Sequence, residues 1–170
     1  QEARLRLRAR RRMRILMVCT GNICRSPAAE GVFREFLERN FLEKSVQVDS
    51  AGTHDYHVGE RPDPRAVEHA RRRGYDISGL RARQIGMRDF EKFDLLLAMD
   101  CGHLEILEHL SPPQHRHKLK LLLDFAELPE KEVPDPYYGG PEGFERVLDL
   151  VEAASRGLLD QVRGHLRVST

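Results

Sequence analysis

Residues 15–27 constrain this chain more than any other segment. Ile15-Leu16-Met17-Val18 is a continuous apolar run, the pattern of a strand buried on both faces. After a loop at residues 19–26, apolar residues return at Ala29, Val32, Phe33, Phe36 and Leu37. That spacing of three and four is an amphipathic helix. Ser26 is expected to cap its free amides, with Pro27 in the first helical position.

The alternation continues along the chain. Residues 46–49 read as a second strand, and Asp63-Pro64 starts a helix that carries Val67 and Ala70 and ends at Gly74. Leu95-Leu96-Leu97-Ala98-Met99 is another apolar strand, followed by a helix through Leu104, Leu107 and Leu110. Residues 118–123 read as a fourth strand. A proline-rich loop, 128–141, then precedes a last helix with Phe144, Val147, Leu148, Val151, Leu158 and Val162 near helical register. Strands alternating with helices predict a single α/β domain at residues 13–167, a parallel sheet with helices on both faces. No repeat or linker divides the 170 residues.

Charge is unevenly placed. Residues 1–12 hold six arginines against Glu2, a local +5, so a formal net charge of +1 leaves −4 on the remainder. This segment is read as a disordered basic extension ahead of Met13, without the apolar stretch of a secretory signal. A nucleic-acid or lipid role for it is the lesser alternative. No apolar run approaches the ~20 residues that span a bilayer, so no membrane partner is expected. Three cysteines do not make a disulfide scaffold and suit a reducing cytoplasm.

The loop between the first strand and helix reads Cys19-Thr20-Gly21-Asn22-Ile23-Cys24-Arg25-Ser26. A loop that feeds a helix turns successive amides toward one point, a nest for an anion. Gly21 and Asn22 are residue types that tolerate the left-handed backbone such a curl needs. Arg25 offers a planar fork for two phosphoryl oxygens. Amides that favour a phosphate dianion also favour a thiolate at Cys19, and the Ser26 hydroxyl is placed to donate to that sulfur. A proton donor is also needed for the leaving oxygen. The candidate is Asp135, in Val133-Pro134-Asp135-Pro136-Tyr137-Tyr138, where prolines stiffen the loop and tyrosines are available to pack on an aromatic group.

With these residues in view, the chain resembles the low-molecular-weight protein tyrosine phosphatases over nearly everything after residue 13. The loop Cys-Thr-Gly-Asn-Ile-Cys-Arg-Ser-Pro and the Asp-Pro-Tyr-Tyr-Gly segment carry the resemblance. Asp49-Ser50-Ala51-Gly52-Thr53, Tyr56-His57-Val58-Gly59, Ala82-Arg83-Gln84 and Met99-Asp100 fall between them in the family's order. The resemblance implies a phosphotyrosine phosphatase I-like, Rossmann-type fold with four parallel strands. It implies hydrolysis of phosphotyrosine through a cysteinyl-phosphate, with Cys19 as nucleophile, Arg25 as clamp and Asp135 as acid and then base. Substrate binding falls to the loop residues Thr20, Gly21, Asn22, Ile23, Cys24 and Ser26 and to a rim of Tyr56, Tyr137 and Tyr138. Ser50 is expected to support Asn22. The implied partner is a phosphotyrosine-bearing protein, met by a monomer or weak dimer, with no metal and no organic cofactor.

Two departures bear on specificity: Thr20 stands where the family often has leucine, and Leu80 where it often has histidine. The alternatives are related branches, a protein arginine phosphatase or an arsenate reductase. The first places threonine where this chain has Ile23, and the second needs further cysteines, of which only Cys101 lies downstream of the loop. Cys101 is read as a partly buried small residue. A reversible Cys19–Cys24 disulfide is expected from their spacing on a curled loop and from the resemblance. The pairs His54/His57 and His115/His117 lack cysteine or carboxylate partners at ligand spacing and are read as solvated. Arg71-Arg72-Arg73 is read as a helix end.

Overall fold

In the computed structural model, which describes residues 12–168, four strands pair in the order β2-β1-β3-β4, and every pairing is parallel. They are β1 (Met13–Cys19), β2 (Val46–Gly52), β3 (Leu95–Ala98) and β4 (Leu119–Leu121). Side chains of β1 alternate between two apolar layers. Ile15, Met17 and Cys19 join the larger one, and Leu16 and Val18 the smaller. The larger layer is closed by α1 (Arg25–Arg39), α2 (Pro64–Arg72) and α5 (Pro141–Val168). The smaller is closed by α3 (Met87–Lys92) and α4 (Cys101–Leu110). A strand with no wet face needs the unbroken apolar run that Ile15–Val18 supplies.

The chain leaves β1 for β2 on one side and later crosses to β3 on the other. The crevice at the carboxyl end of β1 is therefore the switch point where open α/β sheets bind ligands. The loop after Cys19 lies there.

Several local expectations need correction. Ser26 does not cap α1: Cys24 holds the cap position without a side-chain bond, and Pro27 is the third helical residue. Asp63 caps α2 as expected, its Oδ1 accepting from Arg65 N at 2.8 Å, and Gly74 follows the helix with φ of 90°. The fourth strand stops at Leu121 because Asp124 Oδ2 accepts the Leu121 amide at 3.2 Å and turns residues 122–125 into a 3-10 helix. Helix α3 has only six residues, too few to display a period. At the end of α2, Arg71 pairs with Glu68, while Arg73 reaches α5 at Glu145, Asp149 and Glu152. The expected basic extension lies outside the described residues except for Arg12, whose side chain donates to the carbonyls of Lys44 and Glu43. Among the described residues no helix is long and apolar enough to cross a membrane.

Candidate active site

The loop after β1 is pinned by its carbonyl groups. Cys19 O accepts from Thr53 N at 2.8 Å, Thr20 O from His54 N at 3.0 Å and Ile23 O from Asp63 N at 2.8 Å. Cys24 O accepts from Ala28 N within the first turn of α1. Among the described residues the amides of Gly21, Asn22, Ile23 and Cys24 take no backbone acceptor. With carbonyls turned outward and amides left over, this is the hydrogen-bonding signature of an anion nest.

Asn22 holds the curl from beneath. Its φ of 58° is left-handed, which asparagine tolerates better than most residues. Its Nδ2 donates to Ser26 Oγ at 2.8 Å and Ser50 Oγ at 2.9 Å, and its Oδ1 accepts from Arg83 N at 3.1 Å. Both amide hydrogens are thereby used, so each serine keeps its own proton to give elsewhere. Ser50 gives its proton to the buried carboxylate of Glu30, 2.6 Å away. Ser26 faces Cys19 Sγ at 3.0 Å and has that sulfur as its outlet. Burial raises the Glu30 carboxyl, while Ser50 and Arg34, which pairs with it, pull the other way. Gly21 is not left-handed, contrary to expectation. Its reason is space: a Cβ there would come within 2.8 Å of the His57 ring.

Arg25 is 4 % exposed at the first position of α1. Its Nη1 donates to Asp100 Oδ2 at 2.8 Å and to the Val133 carbonyl at 3.1 Å, and its Nη2 lies 3.8 Å from Asp135 Oδ2. Asp100 also caps α4, accepting from His103 N at 2.9 Å. These bonds hold its carboxyl below the usual range against a burial that would raise it.

These groups open on a cavity of about 300 Å³. It is lined by Cys19, Thr20, Gly21, Ile23, Cys24 and Arg25 of the loop, by Tyr56 and His57, and by Asp135, Tyr137 and Tyr138. Tyr137 packs edge-on against Tyr138. Asp135 is fixed by its own turn, Oδ1 accepting from Tyr137 N at 3.0 Å. Asn22 and Ser26, expected among the substrate-binding residues, do not line the cavity, and their side chains support it from below. Ser50 stands at Asn22, as expected.

Other expectations fare differently. His57 is not freely solvated: its ring lines the cavity and its Nδ1 lies 2.7 Å from Glu60 Oε2. His54 stacks on Tyr56, with centroids 4.9 Å apart. Cys101 is exposed rather than partly buried, because it sits on the outer face of the first turn of α4. Cys19 and Cys24 are both free thiols. Burial, with Asp63 nearby, pushes the Cys24 thiol far up, so that sulfur stays protonated in this arrangement. His103 is a residue that sequence reasoning missed. Its only sequence signal is a position three residues after a helix-capping aspartate at the end of an apolar strand. Among the described residues no three His, Cys, Asp or Glu side chains converge as a metal site.

The model of the family described as low molecular weight phosphotyrosine protein phosphatase matches residues 14–168. A low molecular weight protein-tyrosine-phosphatase of Streptomyces coelicolor is 46 % identical over 154 residues, 88 % of this chain and 93 % of that protein. The human low molecular weight phosphotyrosine protein phosphatase is 38 % identical over 149 residues, 86 % of this chain and 94 % of its own. A crystal structure of a protein tyrosine phosphatase from Entamoeba histolytica superposes with a TM-score of 0.88 at 39 % identity, covering 90 % of this chain and 98 % of that one. The strand-to-helix anion nest at the switch point and a match spanning nearly all of the described residues lead to one conclusion: the chain belongs to the low molecular weight phosphotyrosine protein phosphatase family.

Proposed function

We propose that this phosphatase hydrolyses phosphotyrosine in proteins with Cys19 as nucleophile, Arg25 as phosphate clamp and Asp135 as the proton donor. One observation carries the assignment: the amides of the loop are left without backbone acceptors beside a buried arginine and a thiol, at the base of one cavity. In the first step Cys19 Sγ attacks phosphorus, the S–P bond forms and the P–O bond to the phenol breaks. Asp135 gives its proton to the departing oxygen. In the second step Asp135, now a carboxylate, takes a proton from water as that oxygen attacks phosphorus and the thiolate leaves.

The supporting residues follow from their bonds. Ser26 donates to the sulfur whenever it carries negative charge, at attack and again at departure. Asp100 and the Val133 carbonyl hold Nη1 of Arg25, which directs the rest of the fork at the anion. Tyr56, Tyr137 and Tyr138 line the cavity and suit an aromatic leaving group, with Ile23 lining it from the loop. A nucleophile that must stay a thiol supports a cytoplasmic setting.

The test is a comparison of phosphotyrosine, phosphoserine and phosphoarginine peptides on one preparation. Phosphotyrosine should lead in kcat/KM by more than about tenfold. A preference for phosphoarginine would overturn the substrate assignment while leaving the nucleophile in place.

A further inference from the structure

His103 touches both ends of the nucleophile loop through one nitrogen. Its side chain sits beneath the site on the first turn of α4 and is 3 % exposed. Nε2 lies 2.7 Å from the Thr20 hydroxyl, next to the nucleophile, and 3.5 Å from Arg25 Nη2, six residues after it. We propose that His103 is a positioning residue that preorganises the phosphate cradle by offering its single Nε2 lone pair to the Thr20 hydroxyl, with an Arg25 Nη2 N–H sharing it at longer range.

The direction of these bonds follows from the neighbours. A guanidinium N–H only donates, so the nitrogen facing Arg25 must offer its lone pair. The ring proton then belongs on Nδ1, which lies 3.1 Å from Asp100 Oδ1, where a lone pair would face a carboxylate. That contact falls short of hydrogen-bond geometry, so it selects the tautomer by charge rather than by a bond. Burial and Arg25 together pull the imidazole down to about 4, which keeps Nε2 an acceptor through the neutral range. Thr20 O–H is then the donor, and its side chain is tied to α4.

The loop must present its amides and Arg25 to an anion without rearranging, because reorganisation at the moment of binding would be subtracted from affinity. Asp100 fixes Nη1 of Arg25 and His103 meets Nη2. The same ring anchors Thr20, whose backbone opens the curl. One turn of α4 thus clips the two arms of the loop together, and His103 itself does not line the cavity.

The experiment measures competitive inhibition by inorganic phosphate against p-nitrophenyl phosphate, with the thermal midpoint recorded for each variant. Thr20→Val keeps the shape and removes the hydroxyl, and His103→Leu removes the acceptor. Each should raise the phosphate Ki roughly 3- to 10-fold, the scale of one hydrogen bond, and lower kcat/KM in parallel. The double variant should be no worse than the worse single one, because both remove the same link. His103→Gln, which offers an acceptor at similar reach, should recover much of the loss. Should His103→Leu fail to fold, Thr20→Val alone decides. In the parent protein, long-range proton–nitrogen spectra should show His103 neutral with its proton on Nδ1. An unchanged phosphate Ki in Thr20→Val, additive losses in the double variant, or a proton on Nε2 would each overturn the proposal.

Discussion

The two loops that build this site are held in opposite ways. In the nucleophile loop Asn22, Arg25 and Ser26 are at most 4 % exposed, and their polar atoms end on partners such as Ser50, Arg83 and Asp100. In the acid loop the Asp135 side chain is half exposed and Tyr138 is 92 % exposed. That loop is moored at few points. The Val133 amide donates to the Met99 carbonyl and its own carbonyl accepts from Arg25 Nη1, and Arg65, itself paired with Asp63, donates to the Tyr137 carbonyl at 3.1 Å. The contrast matches the two tasks. An anion cradle works by not reorganising, whereas a donor at the rim must admit one molecule and release another. Damage to the first region should therefore cost stability together with rate, and damage to the second should cost rate alone.

The sharpest separation is expected from Asp135→Asn. Its kcat/KM on a tyrosyl leaving group should fall by roughly 10²–10⁴, the scale of a positioned acid. Phosphoenzyme formation from p-nitrophenyl phosphate should suffer distinctly less, since that anion departs unaided. Stability should move by less than about 0.5 kcal/mol, as at other exposed positions. An equal loss on both leaving groups would remove Asp135 from the donor role.

Asn22→Ala probes the buried region. Three hydrogen bonds vanish, the Arg83 amide loses its acceptor, Ser26 and Ser50 each lose the N–H they accept, and alanine must adopt a positive φ. A destabilisation of about 3 kcal/mol in urea unfolding is expected, with activity reduced as well. Near-parental stability would mean that the interior loop is not held as described.

The third effect is a pH slope. His103 is neutral in the fold down to about 4, while in the unfolded chain it takes up a proton below about 6.5. Stability is thus fully present above the unfolded value, falls as pH drops through the interval between the two, and levels off below about 4. The span is at most about 3 kcal/mol. Comparing the parent with His103→Gln isolates it from Glu30, whose raised carboxyl gives the opposite slope. The depressed Asp100 acts only below the carboxylate range, outside this window. Equal slopes in the two proteins would contradict the burial argument. The smallest effect belongs to Arg65→Met, which frees the Tyr137 carbonyl. A loss of roughly 3- to 10-fold on tyrosyl substrates, with little change in thermal midpoint, is expected from one exposed brace. A drop in the midpoint instead would place Arg65 with the interior.

The same contrast explains what could be read in advance. The nucleophile loop declares itself because strand, glycine, arginine and helix are consecutive in the chain, and each is needed for one anion. Asp135 stands out only once the cysteine loop calls for a proton donor, since its prolines and tyrosines by themselves mark a turn. His103 does not, because its partner Thr20 lies 83 residues away and its one local signal, a place three residues after a capping aspartate, does not tell it from a solvated histidine. For Ser26 the sequence offers two readings, a helix cap and a donor to the Cys19 sulfur, and the structure realises the second: the helix starts one residue earlier, at Arg25, and the hydroxyl faces the sulfur at 3.0 Å. Leu122 and Leu123 extended the apolar run of β4 on paper, yet one carboxylate, Asp124, turned the chain.

In the proposed mechanism Cys19 becomes covalently phosphorylated in the cradle while Asp135 stands at its rim. Rapid acid quench with a radiolabelled aryl phosphate, followed by peptide mapping, tests it directly, and slow dephosphorylation in Asp135→Asn should make the intermediate easier to collect. Label should appear on the peptide that contains Cys19, approaching one per chain, formed in a burst and absent from Cys19→Ser. Turnover with no covalent label at any quench time, or label on another residue, would contradict it.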